Sequence, residues 1–211
     1  MTEQPLSVLD SVAAARANVY YALARALEPP KNWRAGLPQL LAEALATMPA
    51  PLPELGERLA SHVTALLDDR EQVAVVHAKL FLGPFEILVA PWACFYLEDE
   101  PQLMGPTSQY AAQAYADAGL APGKQPQDTP DHVTHEMEFM YYLAFSLATT
   151  GAAEWEERQV RFWREHLGLW LPRFADALTH AAEHPFYNLL AETIGNVCAL
   201  EADELLKIAR T

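Results

Sequence analysis

A chain of 211 residues, 51% of them apolar, is long enough for a sizeable core and too apolar to be disordered over most of its length. Its 14 basic and 28 acidic residues leave a net charge of −14, which excludes a nucleic-acid backbone or an anionic membrane surface as the natural partner and suits a basic one. No run reaches the roughly 18 apolar residues of a membrane span, Met1 to Asp10 holds no basic-then-apolar leader, and Cys94 and Cys198 stand outside any CxxC spacing, so a reducing, cytoplasmic setting with free thiols is expected.

In chain order, Val8, Val12, Ala15, Val19, Leu23 and Leu27 repeat at helical spacing and predict a first helix from Ser7 to Leu27, stopped by Glu28-Pro29-Pro30. A second is expected over Leu37–Ala46. Pro49, Pro51 and Pro53 then form a stiff break. The third spans Glu54–Leu67 and the fourth Glu71–Leu82, with Val73, Val76, Leu80 and Phe81 as its stripe. Gly105-Pro106 opens a fifth, Thr107–Ala118, closed by Gly119. The segment 119–129 reads as an exposed, mobile loop. Thr129 is placed as cap and Pro130 as first residue of a sixth helix running to Thr149. Glu154–Leu167, Leu169–Ala182 and Phe186–Ile208 follow, with Pro172 near the start of the eighth. No β-alternation or repeat appears. The expected fold is all-α: one bundle-like domain over residues 1–211, of roughly nine helices.

Between the fourth and fifth helices lies a long apolar loop, 83–105, without helical periodicity. Gly83, Pro84 and Pro91 shape it, because proline cannot donate to a helix and restricts the residue before it. Such a loop is uncommon in a compact chain unless it has a job. Either its aromatics plug the core as a buried crossover, or they line a groove for an apolar partner.

Leu80-Phe81-x-Gly83-Pro84, followed by Pro91-Trp92 and Tyr96-Leu97-Glu98, resembles the central signature of the TorD/DmsD family, cytoplasmic chaperones for molybdoenzyme maturation. Pro130-Asp131-His132, with Met137-Glu138-Phe139-Met140 after it, resembles the family's Pro-Asp-His motif. Gln159, Phe162, His166, Trp170, Leu171, Pro172 and Phe174 resemble its late helical motif. Ala90 replaces a common second proline and Cys94 a common serine. The resemblance implies a chaperone, not an enzyme. Its partner would be the catalytic subunit of a molybdopterin oxidoreductase, bound through a twin-arginine signal peptide and held until its cofactor is inserted. It also implies that Asp131 and His132 recognise that peptide.

The residue chemistry suits such a ligand. Trp92, Phe95 and Tyr96 offer apolar surface, and Glu98, Asp99 and Glu100 follow as a carboxylate-rich end. Asp131 and Glu136, near the positive end of a helix, could receive a guanidinium, or Asp131 could simply cap and His132 simply pack. Leu80, Phe81, Met137, Met140 and the four-residue stripe Phe162, His166, Trp170, Phe174 read as core, with Trp170 placed near the groove. The competing reading is a metal-dependent helical enzyme, since His132, His135 and Glu136 share a helical face. Their order is neither HExxH nor HxxEH. A plain structural subunit of a membrane-bound reductase is a third reading. No phosphate loop or GxSxG is present, so no cofactor is expected. The chain could be a monomer or a domain-swapped dimer.

Overall fold

Proline and glycine punctuation decides most of the helix ends. The computed structural model of the protein describes residues 11–83, 87–121 and 128–208. The helices are α1 (Ser11–Leu27), α2 (Leu37–Ala46), α3 (Leu52–Leu66), α4 (Arg70–Phe81), α5 (Cys94–Leu97), α6 (Pro106–Asp117), α7 (Val133–Thr150), α8 (Ala153–Phe162), α9 (Gly168–Ala181) and α10 (Pro185–Ile208). Among the described residues there is no strand, and nine of the helices have ten or more residues. The bounds of α2 match the expectation. Helix α3 starts two residues earlier than expected, because Pro53 fits the first turn, where its missing N–H costs nothing. The expected start of the first helix at Ser7 lies outside the described residues.

Two further helix boundaries depart from the sequence reading. Thr129 is not the cap of α7, and Pro130 is not its first residue. His132 is the cap, with extended backbone and an Nδ1 that accepts from the Thr134 amide. The chain turns through Pro130 and Asp131, where the His132 amide donates to the Thr129 carbonyl at 3.1 Å, and pairs at His132 with the central loop, as described below. The seventh and eighth expected helices are also not separate. A π-turn, Trp163–Leu167, joins α8 to α9 into one kinked rod, and Pro172 lies inside α9. Gly168 is required at that joint: a Cβ there would lie 2.7 Å from the Trp163 carbonyl oxygen and 2.8 Å from its indole.

Helix α1 packs on α7, α2 folds back on α3, and α10 lies against α9 and α3. Their apolar faces meet in one core that includes Leu23, Leu41, Leu59, Met140, Leu167 and Phe186. Leu80, Phe81, Met137 and the stripe Phe162, His166, Trp170 and Phe174 are buried, as the periodicity implied. One buried ion pair crosses this core: Arg16 on α1 grips both oxygens of Glu201 on α10, at 2.8 and 2.5 Å. Such a pair fixes the approach of two helices more than it adds stability, but removing one partner strands a charge.

Candidate peptide-binding site

The central loop leaves α4 through Gly83, whose φ of +36° favours glycine and whose amide donates to the Ala78 carbonyl at 2.8 Å. Pro84 lies outside the described residues. The Val89 amide returns to the Leu80 carbonyl at 2.9 Å, so the loop folds back over the end of α4. It then runs antiparallel to the segment before α7. The Val133 amide donates to the Pro91 carbonyl at 2.8 Å, and the Ala93 amide to the Asp131 carbonyl at 3.0 Å. The loop is not wholly irregular: Cys94–Leu97 forms one helical turn, α5.

Asp131 sits at the centre of this join and is 0% exposed. Its Oδ1 accepts the Ser108 hydroxyl at 2.5 Å and the Thr129 hydroxyl at 2.6 Å, and its Oδ2 accepts the Cys94 amide at 3.2 Å. Burial alone would push this carboxyl up. The donors outweigh it and hold the carboxyl below its ordinary range. Ser108 also accepts the Met104 amide at 3.2 Å, which ties the far end of the loop to the same carboxylate. Burial, together with nearby Asp131, pushes the Cys94 thiol up to about 12.

Glu136 is likewise 0% exposed. One of its oxygens lies 2.6 Å from His166 Nε2, and the other accepts the Trp170 indole N–H at 2.8 Å. His166 and Trp170 are four residues apart, so the rod after the π-turn presents both to one carboxyl. Burial raises Glu136 to about 7, against the pull of those two bonds. Trp170 is fully buried and stacks on Tyr96 at 5.6 Å. Asp131, Glu136 and Trp170 therefore expose no surface to a partner. Internal donors or packing already occupy them, where the sequence reading expected direct contact with a peptide.

Glu98 is also committed. It accepts the Thr107 amide at 2.9 Å, the Thr107 hydroxyl, and the Gln102 amide at 3.3 Å, and so caps α6. The Thr107 hydroxyl is the main cause of its lowered pKa. Asp99 and Glu100 beside it remain exposed.

The outward side is built by Trp92, Phe95 and His132, with Leu103 and Met104 exposed further along the loop. Phe95 is 44% exposed and its ring lies 6.0 Å from that of Trp92. Met104 adopts φ +63°, an uncommon conformation for a side chain other than glycine. The Trp92 indole N–H donates to Asp128 Oδ1 at 2.6 Å, and its ring meets His132 edge-on at 5.9 Å. Burial lowers His132 to about 4. Tyr96 is half-buried: Arg173 donates to its carbonyl and lies 5.8 Å over its ring. Burial also pushes its phenol up to about 12.

Asp128 is the residue that sequence reasoning missed. It fell in the segment read as a mobile loop, and its one sequence signal is its spacing of four from His132.

The family model described as nitrate reductase delta subunit matches residues 39–176. A Tat proofreading chaperone DmsD from Salmonella typhi is 30% identical over 161 residues, covering 76% of this chain and 69% of that protein. The chain belongs to the TorD/DmsD family of molybdoenzyme maturation chaperones. The DmsD of Salmonella typhimurium strain LT2 is 27% identical over the same shares of each chain. A crystal structure described as a candidate redox enzyme maturation protein from Archaeoglobus fulgidus superposes with a TM-score of 0.51 at 18% identity, over 86% of this chain and 92% of that one, and shows the shared fold. Within a TorD/DmsD fold, the metal reading of His132, His135 and Glu136 does not hold. Glu136 faces the core while His135 Nδ1 meets the Thr129 carbonyl at 3.0 Å. Among the described residues no three His, Cys, Asp or Glu side chains converge as ligands. Among the described residues, too, no helix is long and apolar enough to cross a membrane.

Proposed function

We propose that this TorD/DmsD chaperone binds the twin-arginine signal peptide of a molybdopterin oxidoreductase in the cytoplasm and holds the enzyme for cofactor insertion before export. The observation that carries this reading is the aromatic lip of exposed Phe95 and half-buried Trp92 beside carboxylates, on a chain of net charge −14. A leader with arginines followed by an apolar run needs both features. Trp92, Phe95, the outer part of Tyr96 and His132 take the apolar run, and the acidic side chains around them take the arginines. Asp131, Glu136, Glu98 and Trp170 hold the lip in place, with Gly83 and Pro91 setting the path of the loop. The action is non-covalent. Burying ~500 Å² of apolar surface at ~25 cal/mol/Å² gives about 12 kcal/mol before the cost of ordering the peptide. The remainder corresponds to a dissociation constant on the order of micromolar, weak enough for release.

Calorimetry with a synthetic twin-arginine leader tests this. Wild type binds, and Phe95→Ser weakens binding about tenfold, as expected for one lost aromatic anchor. Equal affinity in wild type and Phe95→Ser would remove the lip from the site.

A further inference from the structure

We propose that Asp128, and not Asp131, is the carboxylate that receives a leader arginine, and that the Trp92–Asp128–His132 cluster sets a preference for arginine over lysine. This rests on the peptide-binding reading above.

The two carboxylates differ in what their oxygens still lack. Both oxygens of Asp131 are occupied by internal donors, with no exposed surface. Asp128 Oδ1 is likewise occupied, by the Trp92 indole at 2.6 Å and the Thr129 amide at 2.9 Å. Among the described residues, Asp128 Oδ2 faces only His132 Nε2, at 3.5 Å, a distance at which a hydrogen bond is weak. The Asp128 side chain is 32% exposed. Among the described residues no lysine or arginine pairs with it.

The imidazole does not neutralise it. His132 Nδ1 accepts the Thr134 amide at 3.3 Å and lies 2.8 Å from the Thr134 hydroxyl, which can donate to it as well, so in the neutral ring the single proton sits on Nε2, toward Asp128 Oδ2. Burial keeps that ring neutral near pH 7. The result is a carboxylate at the surface whose Oδ2 meets one neutral donor at 3.5 Å, with an indole fixed beside it.

A guanidinium fits this arrangement better than an ammonium. Its planar fork can donate to Oδ2 while its face lies against the indole. The lysine ammonium would meet the charge as a compact, strongly hydrated point. Because one carboxylate both holds the indole and offers Oδ2, the two recognition elements keep their spacing.

The test is calorimetry with two peptides, a twin-arginine leader and the same sequence with two lysines, on wild type, Asp128→Asn, Asp128→Glu and Asp131→Asn. Asparagine at 128 keeps the oxygen that Trp92 and Thr129 use, so the Tm stays near that of wild type. Asp128→Asn should raise the Kd for the arginine peptide about tenfold to hundredfold, the loss of one charge-assisted contact, and bring the arginine-to-lysine ratio toward one. Asp128→Glu should recover part of that ratio. Wild-type affinity and selectivity in Asp128→Asn would overturn the assignment while leaving the lip in place. So would a loss of arginine selectivity in Asp131→Asn at an unchanged Tm. A wild type that binds neither peptide overturns the peptide-binding reading and this assignment together.

Discussion

The start of α7 has two sides, and they treat the same residue types in opposite ways. On the inner side Asp131 and Glu136 are closed off from water and fully engaged by hydroxyls, an amide, an imidazole and an indole. On the outer side Asp128 and Phe95 keep surface to spare. All the polar residues of this stretch look alike as letters. What separates them is whether distant parts of the chain supply donors. The inner carboxylates are held by donors from other elements, and the outer one keeps exposed surface.

The comparison breaks first on Glu136→Ala. That change leaves the His166 ring and the Trp170 N–H buried without their acceptor and opens a void, so a loss of about 3–5 kcal/mol is expected. In a chain of this size that lowers the Tm by roughly 6–20 °C in scanning calorimetry. A Tm unchanged within about 2 °C would mean that Glu136 is no fastening. Asp131→Asn should cost less, about 2 kcal/mol, because one of its three donors then faces an amide N–H₂. Urea titration reads this as a lower midpoint with an unchanged slope.

Titration sharpens the contrast through its sign. His132 and His77 are held at about 4 by burial, against 6.5 when free. Their contribution to stability is complete above pH 6.5 and is lost as the pH falls through 4. Glu136 runs the other way. Its folded value of about 7 lies above the free 4.5, so its contribution is complete below 4.5 and is lost as the pH rises through 7. Tm measured from pH 4 to 8 should therefore fall on both flanks. His132→Gln should soften the acid flank and Glu136→Gln the alkaline one. A flank that keeps its slope in the matching variant would refute that assignment. The smallest effect on folding belongs to Phe95→Ser, within about 0.5 kcal/mol in urea titration, even though its effect on leader binding is about tenfold.

The helical frame was legible because its signals are local. Proline and glycine breaks bracket α2, and residue spacing exposes the buried stripe of Phe162, His166, Trp170 and Phe174. The site was legible as a neighbourhood and not as roles. Nothing near Asp131 announces that Ser108, 23 positions earlier, will claim one of its oxygens, or that His166, 30 positions after Glu136, will claim another. The cap of α7 moved for the same reason. Thr129 and Pro130 form a plausible start by local rules, but pairing of the next residues with the loop delays the helix to Val133.

The antiparallel bridge between Trp92 and His132 has a consequence for how any leader is held. The Pro91 carbonyl and the Ala93 amide are already spent on α7's approach, so the edge of the loop that faces α7 is closed to strand addition. On the proposed reading, a leader at this face is held along that edge by side chains and not by a backbone ladder. Its alignment is then set by where one cation and one greasy patch fall, and spacers of different length between them can be accommodated by bending the guest.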